Sequence, residues 1–172
     1  RPQVEGYVSR ILAKPGEVVA EGTPIIQIDP KRQEASTNSA AAASGIASAE
    51  VERGRATLSQ LEASRAGRVA ALKLAEEDHR RAVNLQASGA ISKQAEDQAT
   101  ATLDSARAEL AAADRQIAAQ HAGVSSAEKS LQQTQATLRA QSVELGYYRI
   151  VAPFGGTVGD VPVKIGDLVT PQ

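Results

Sequence analysis

Histidines and carboxylates are the residues of this chain that could perform acid–base or metal chemistry. The 172 residues include two histidines and no cysteine, which excludes thiolate catalysis and cysteine-ligated metal. His79 and His121 would lie about 20 positions apart along the helical hairpin predicted below, too far to share a metal ion or a proton. The mixed-charge run Glu76–Arg81 is typical of a solvated face. We therefore expect no catalytic residue, no cofactor and no metal site, and predict that the chain is not an enzyme.

Charge and hydropathy narrow the possible function classes further. The formal net charge of −1 excludes a nucleic-acid binder that relies on bulk attraction to phosphates. No apolar run approaches the roughly 20 residues that cross a bilayer. The chain contains no methionine, so we expect a fragment of a longer protein.

Proline and aromatic residues divide the chain into helical and non-helical parts. All seven prolines lie before residue 31 or after residue 152. Residues 31–145 contain neither proline nor an aromatic residue and are rich in alanine, glutamine, glutamate, arginine and leucine. Proline is excluded from helix interiors, and these five residue types favour helix. The sequence therefore predicts a helical middle between two non-helical ends.

The helical middle carries a heptad repeat, which is typical of a coiled coil. Large apolar residues recur every seven positions in its second half: Leu103, Leu110, Ile117, Val124, Leu131, Leu138 and Leu145. Three residues after all but the last of these come mostly small ones: Ala106, Ala113, Gln120, Ala127, Thr134 and Gln141. The first half has a less regular stripe, formed by Val51, Leu58, Leu61, Val69, Leu72 and Val83 and interrupted by Arg65, Arg68 and His79.

The two helical arms are predicted to meet at a turn near residues 86–92. Gly89 can adopt the left-handed conformation that ends a helix, and Ser92 can cap the next helix. Folding back there pairs residues whose numbers sum to about 177, so residues 31 and 146 should meet. Each arm would contain about 55 residues and be on the order of 80 Å long.

The non-helical ends contain β-rich runs bounded by proline and glycine. These runs are Gly6–Leu12, Thr23–Asp29, Tyr148–Ala152, Gly156–Val158 and Val161–Lys164. A shift of 150 residues aligns one end with the other, as when Gly6 falls on Gly156, Val8 on Val158, Lys14 on Lys164 and Gly16 on Gly166. Because one such unit cannot bury a core alone, the two copies should pack together.

These patterns predict an α+β protein in which a long antiparallel coiled-coil hairpin is inserted into a split β-sandwich. Residues 1–30 plus 146–172 would form the β domain. Residues 31–145 would form the hairpin.

The ends resemble the two halves of a biotinyl/lipoyl domain. The first half is carried by Gly6-x-Val8 and Pro15–Gly22, and the second by Ile150–Val158 and Gly166–Val169. Carrier domains place their modified lysine on a tight turn between the halves. The hairpin takes that place here, and the nearest lysine, Lys31, lies at its base.

A lipoyl domain split by a helical hairpin is similar to the periplasmic adaptors, or membrane fusion proteins, of tripartite efflux pumps and type I secretion systems. Arg81, Leu85 and Ser92 match the spacing of the tip motif with which these adaptors bind TolC-like outer-membrane channels. The resemblance implies a channel partner, an inner-membrane transporter and a ring of six adaptors. It also implies a periplasmic location, with an inner-membrane anchor outside this fragment.

Several alternatives remain open at this point. The long hairpin favours an ABC transporter as the inner-membrane partner, and an RND-type proton-driven pump is the runner-up. A swinging carrier modified at Lys31 and a structural coiled-coil spacer are the remaining readings.

Overall fold

The computed structural model describes residues 3–171, so Arg1, Pro2 and Gln172 of the predicted β domain lie outside the described residues. Two long helices are flanked by short strands on both sides in sequence. The elements are β1 (Gly6–Ile11), β2 (Val18–Val19), β3 (Pro24–Ile28), α1 (Lys31–Ala87), α2 (Lys93–Tyr147), β4 (Arg149–Val151), β5 (Gly156–Thr157) and β6 (Leu168–Val169). The chain forms two compact units, which we call the β unit (residues up to 47 and from 131 onward) and the distal unit (Ser48–Ser130, so named because it is distant in sequence from both chain ends).

The β unit contains two antiparallel sheets. One has the strand order β4-β3-β1-β6, and the other consists of β2 and β5. Val8 and Ile28 are the largest fully buried side chains. Gly6 makes room for Ile28, because a Cβ at Gly6 would lie 2.5 Å from the Ile28 Cγ2 atom.

The predicted repeat is confirmed by reciprocal backbone pairing between the two copies. Val18 pairs with Thr157 in one sheet, and the same pair shifted by 150 residues, Leu168 with Tyr7, occurs in the other. The turns follow the same rule: the Gly16 N–H donates to the Val158 carbonyl and the Gly166 N–H to the Val8 carbonyl, at 2.8 and 2.9 Å. Each copy therefore supplies the strand partner that the other lacks.

Both repeat turns are closed by the same local chemistry. Gly16 and Gly166 have positive φ angles of 82° and 95°, a region that glycine enters without a Cβ clash. The Glu17 carboxylate accepts a hydrogen bond from the Lys14 N–H at 2.9 Å. The equivalent bond of the second copy joins Lys164 to Asp167 at 2.8 Å.

One predicted strand is absent. Within the described residues, the run Val161–Lys164 forms no ladder, so its prediction as a strand is wrong. Pro162 lies inside this run and has no N–H to donate. The two-residue strands β2 and β6 were not predicted as strands, because their pairing depends on the other copy of the repeat.

The base of the hairpin belongs to the β unit. There Gln33, which is 7% exposed, donates through Nε2 to the Gln141 side-chain oxygen at 2.8 Å and to the Gln141 carbonyl at 3.1 Å. The Ile28 N–H donates to the Tyr148 carbonyl at 2.9 Å. The two arms therefore begin and end side by side, as the pairing rule predicted.

In α2 the predicted seam is confirmed residue by residue. Every seam position from Leu103 to Leu145 is buried or half-buried, and every other residue between them is exposed. In α1 the predicted stripe is partly wrong, since Val69 and Val83 are 41% and 38% exposed. The seam of α1 instead passes through Arg68, because its phase follows the heptads that start at Val51.

Polar seam residues of α1 are satisfied by acidic residues of α2 in the distal unit. Arg68 pairs with Glu109 at 3.2 Å, and Arg65 pairs with Asp114. Two of the three interruptions seen in the sequence, Arg65 and Arg68, are therefore cross-helix ion pairs.

In the described part of the chain, neither helix combines the length and the apolar character that a membrane crossing requires.

Candidate functional site

The residues that the sequence singled out lie in the last turns of α1 and in the turn that follows it, and α1 ends in a Schellman motif. The Ala90 N–H donates to the Leu85 carbonyl at 2.8 Å, and the Gly89 N–H donates to the Gln86 carbonyl at 2.9 Å. Gly89 has a φ of 77°, so the predicted left-handed helix end is confirmed. These bonds satisfy carbonyls that a helix end otherwise leaves unpaired.

Helix α2 begins with the predicted cap. The Ser92 Oγ accepts a hydrogen bond from the Ala95 N–H at 3.3 Å, which satisfies one of the free donors of the first helical turn. Ser92 itself is exposed. The Ser92 hydroxyl therefore has a structural role as a helix cap, in addition to any role in docking.

Leu85 is an exposed apolar residue at the end of α1. In a Schellman motif the side chain two positions past the helix cap commonly packs on the side chain five residues before it, which here is that of Leu85. That position is occupied here by Ala90, whose methyl group is small, and Leu85 remains 47% exposed. The end of α1 therefore leaves one leucine side chain uncovered.

Both cations nearest the turn have acidic partners on their own helix. The Arg81 guanidinium pairs with the Asp78 carboxylate one turn earlier. Lys93 pairs with Glu96 at 3.3 Å and with Asp97 at 3.5 Å. The hydrogen bond that Lys93 donates to Glu96 and the negative charge of Asp97 raise the pKa of Lys93 above its ordinary value. Exposed pairs of this kind are weak and can be exchanged for a partner's groups.

None of these three carboxylates, Asp78, Glu96 and Asp97, was predicted from the sequence to pair with a tip cation. Their signal was present, because each carboxylate lies three or four positions from a tip cation, the spacing at which side chains on a helix meet. Asp78 lay within the run that was read only as a solvated face.

The residues tested for other chemistry do not converge. Lys31 is the first residue of α1, and its side chain is 87% exposed and 4.0 Å from Asp29. It opens a helix instead of standing on a tight turn between strands. Among residues 3–171, no three histidine, cysteine or acidic residues are grouped closely enough to hold a metal ion.

A β unit made of two copies of one strand motif, with a helical hairpin inserted between the copies, is the architecture of a membrane fusion protein. The family model for the barrel-sandwich hybrid domain of RND membrane fusion proteins matches residues 1–172, and the chain belongs to this family. No curated protein matches the chain.

Solved structures of longer proteins are similar to the chain. The crystal structure of MacA from Actinobacillus actinomycetemcomitans is 26% identical, with a TM-score of 0.44, and the match covers 98% of this chain and 43% of that one. A putative efflux transporter from Bacteroides eggerthii is 17% identical, with a TM-score of 0.49 and coverage of 98% and 34%. The periplasmic adaptor EmrA is 16% identical, with a TM-score of 0.49 and coverage of 98% and 67%. The chain thus spans less than half of the first two proteins.

Proposed function

We propose that this chain is the hairpin-bearing part of a non-enzymatic periplasmic adaptor. The adaptor joins an inner-membrane transporter to a TolC-like outer-membrane channel for efflux or export. The division of labour follows the predicted domains: residues 1–30 with 146–172 form the lipoyl-like body, and residues 31–145 form the hairpin that reaches the channel. An anchor outside this fragment holds the adaptor to the inner membrane.

The observation that carries the proposal is the exposed Leu85 at a tightly capped turn. Leu85 lies at the end of the hairpin, and burying this side chain in a groove between partner helices would contribute about 1.5–3 kcal/mol. Arg81 supplies a planar donor for a carbonyl or carboxylate of the partner. Ser92 supplies a compact hydroxyl at the start of the next helix.

A single turn is a small contact, so useful affinity requires several turns acting together. We therefore propose a ring of six copies, as the family resemblance implies. The length of the hairpin supports an ABC transporter as the inner-membrane partner. The match to a family of RND membrane fusion proteins supports the alternative, an RND-type pump.

The test is the binding of a purified TolC-like channel to single variants of the turn. We expect Leu85→Ala to weaken binding at least tenfold, because it removes the apolar contact. Leu74→Ala is the matched control, since Leu74 is a similarly exposed leucine (57%) of the same helix. Arg81→Ala should also weaken binding.

Ser92 requires two variants, because its hydroxyl also caps α2. Ser92→Asp preserves an N-cap acceptor, whereas Ser92→Ala removes it at a cost of about 1 kcal/mol in helix stability. If Ser92 contacts the channel, both variants should weaken binding and only Ser92→Ala should lower helicity measured by circular dichroism. Unchanged binding in all variants at Arg81, Leu85 and Ser92 would refute the docking role of the turn.

A further inference from the structure

A cleft of about 440 Å³ opens between the two helices of the distal unit, close to the turn. Its walls include His79, Arg80 and Asn84 from α1 and Arg107 from α2. Leu103, which is 4% exposed, lies at its base. The cleft lies outside the predicted tip motif.

A polar residue occupies the seam at the cleft. His79 lies at the seam position one heptad after Leu72 and is half-buried. An imidazole is shorter and more polar than a leucine, so it fills less of this layer, in which Leu103 itself is covered. Val83, at 38% exposure, forms an apolar part of the wall.

Hydrogen-bond donors predominate around this opening. Arg80 makes no ion pair within the described residues, and Arg107 makes one long pair, 3.5 Å, with the exposed Asp104. Each guanidinium presents five N–H donors in a planar fork, and the Asn84 amide adds two more. Glu76 is the single carboxylate in the wall.

Arg80 and Arg81 are neighbours in the sequence, but only Arg81 has an ion-pair partner in residues 3–171. The Arg81 guanidinium is already paired with Asp78, whereas Arg80 has no carboxylate partner in residues 3–171. Arg80, which the predicted tip motif does not contain, can therefore meet a partner without first giving up an ion pair, whereas Arg81 must exchange Asp78 for the partner's group.

We propose that this cleft binds a carboxylate side chain of the docking partner, so that the docking surface extends from the turn onto the side of the hairpin. The two guanidinium groups match the planar carboxylate, and the exposed Val83 offers apolar surface to its methylene groups. Arg80 lies five residues before Leu85 in the same helix, about 7.5 Å along the axis and about 140° around it. A partner groove that encloses the end of the hairpin can therefore contact both residues. This inference rests on the proposed function.

The position of Glu76 predicts that removing its charge should strengthen channel binding. Its carboxylate lies in the same cleft and repels an incoming carboxylate. Glu76→Gln keeps the size of the side chain and removes the charge. We expect it to strengthen channel binding roughly threefold, whereas Glu62→Gln, on the same helix outside the cleft, should have no effect.

The experiment measures the affinity of a purified TolC-like channel for Arg80→Ala and Arg107→Ala at low and high salt. We expect each variant to bind roughly fivefold more weakly at low salt and to depend less on salt than the parent protein. Lys73→Ala is the matched control, because Lys73 is a cation one heptad earlier on the same helix and does not line the cleft.

A second measurement locates the contact directly. The chain has no cysteine, so an Asn84→Cys variant can carry one photoactivatable crosslinker at the cleft. We expect crosslinks to a channel segment that contains aspartate or glutamate. Crosslinks only to segments without acidic residues would overturn the inference.

The outcomes separate this inference from the proposed function. If Leu85→Ala abolishes binding while both arginine variants bind like the parent, the cleft is not part of the docking surface and the proposed function stands. If the parent protein does not bind the channel at all, both proposals fail.

Discussion

The β unit and the distal unit are stabilised in different ways. In the β unit, two copies of one strand motif exchange backbone hydrogen bonds, and a few residues, such as Ile28 and Val8, are fully buried. In the distal unit, a narrow seam of mostly half-buried residues and cross-helix ion pairs joins two helices whose backbones are already satisfied. Sequence changes should therefore be costly at a few defined positions in the β unit. In the distal unit they should be costly only in the seam.

The largest effect is expected from a pair of glycines that the internal repeat makes equivalent. A Cβ at Gly6 would lie 2.5 Å from the Ile28 Cγ2 atom, whereas one at Gly156 would meet only Phe154, at 3.8 Å. We expect Gly6→Ala to lower the free energy of unfolding by about 2–3 kcal/mol and Gly156→Ala to change it by less than about 0.5 kcal/mol. Urea denaturation of both variants measures the difference, and equal costs would contradict it.

The seam of the distal unit should give the next largest effect. A Cβ at Gly54 would lie 3.1 Å from the Val124 Cγ2 atom, whereas Gly67 has open space around it. The Gln120 Nε2 also donates to the Gly54 carbonyl at 3.0 Å. We expect Gly54→Val to destabilise the protein by about 2 kcal/mol.

Gly67→Val is the control for this prediction, because valine is a slightly better helix former than glycine and meets nothing there. Its melting temperature should equal or exceed that of the parent protein. If both variants lose stability equally, helix propensity and not close packing of the two helices governs the distal unit.

The smallest effect tests the equivalence of the two repeat turns. Gly16 and Gly166 have positive φ angles and no atom within 4 Å of an added Cβ. Alanine at either position should cost about 1 kcal/mol through backbone strain alone. Chemical denaturation should give similar losses for Gly16→Ala and Gly166→Ala. A clearly larger loss at one of them would show that the two copies contribute unequally.

Features that depend on neighbouring residues in the chain were predictable. The heptads of α2 predicted which of its side chains are covered, because a single facing helix covers one stripe of a helix. The turn was predictable for the same local reason, since Gly89 and Ser92 close their helices through bonds to residues within five positions. The tip motif of Arg81, Leu85 and Ser92 stays a prediction as a docking site.

Features that depend on distant residues were not predictable. The exposure of Val69 and the burial of Gln33 depend on which residues of α2 face them. The same holds for the opening beside His79 and Arg80, where the wall is completed by Leu103 and Arg107 of α2. In the charge run of α1, helical spacing allows an ion pair of Glu76 with Arg80 as well as one of Asp78 with Arg81, so the sequence does not decide that only Arg81 is paired.

By itself, the sequence determined the helical middle, the position of the turn, the seam of α2 and the existence of a repeat. These follow from proline exclusion, heptad spacing and glycine conformation, which act over a few residues. Only the tertiary structure decided how the two repeats exchange strands, which polar seam residues become ion pairs and where a cleft remains. Those outcomes depend on contacts between residues about 100 or more positions apart in the β unit, as between Gln33 and Gln141. In the distal unit they depend on the facing helix.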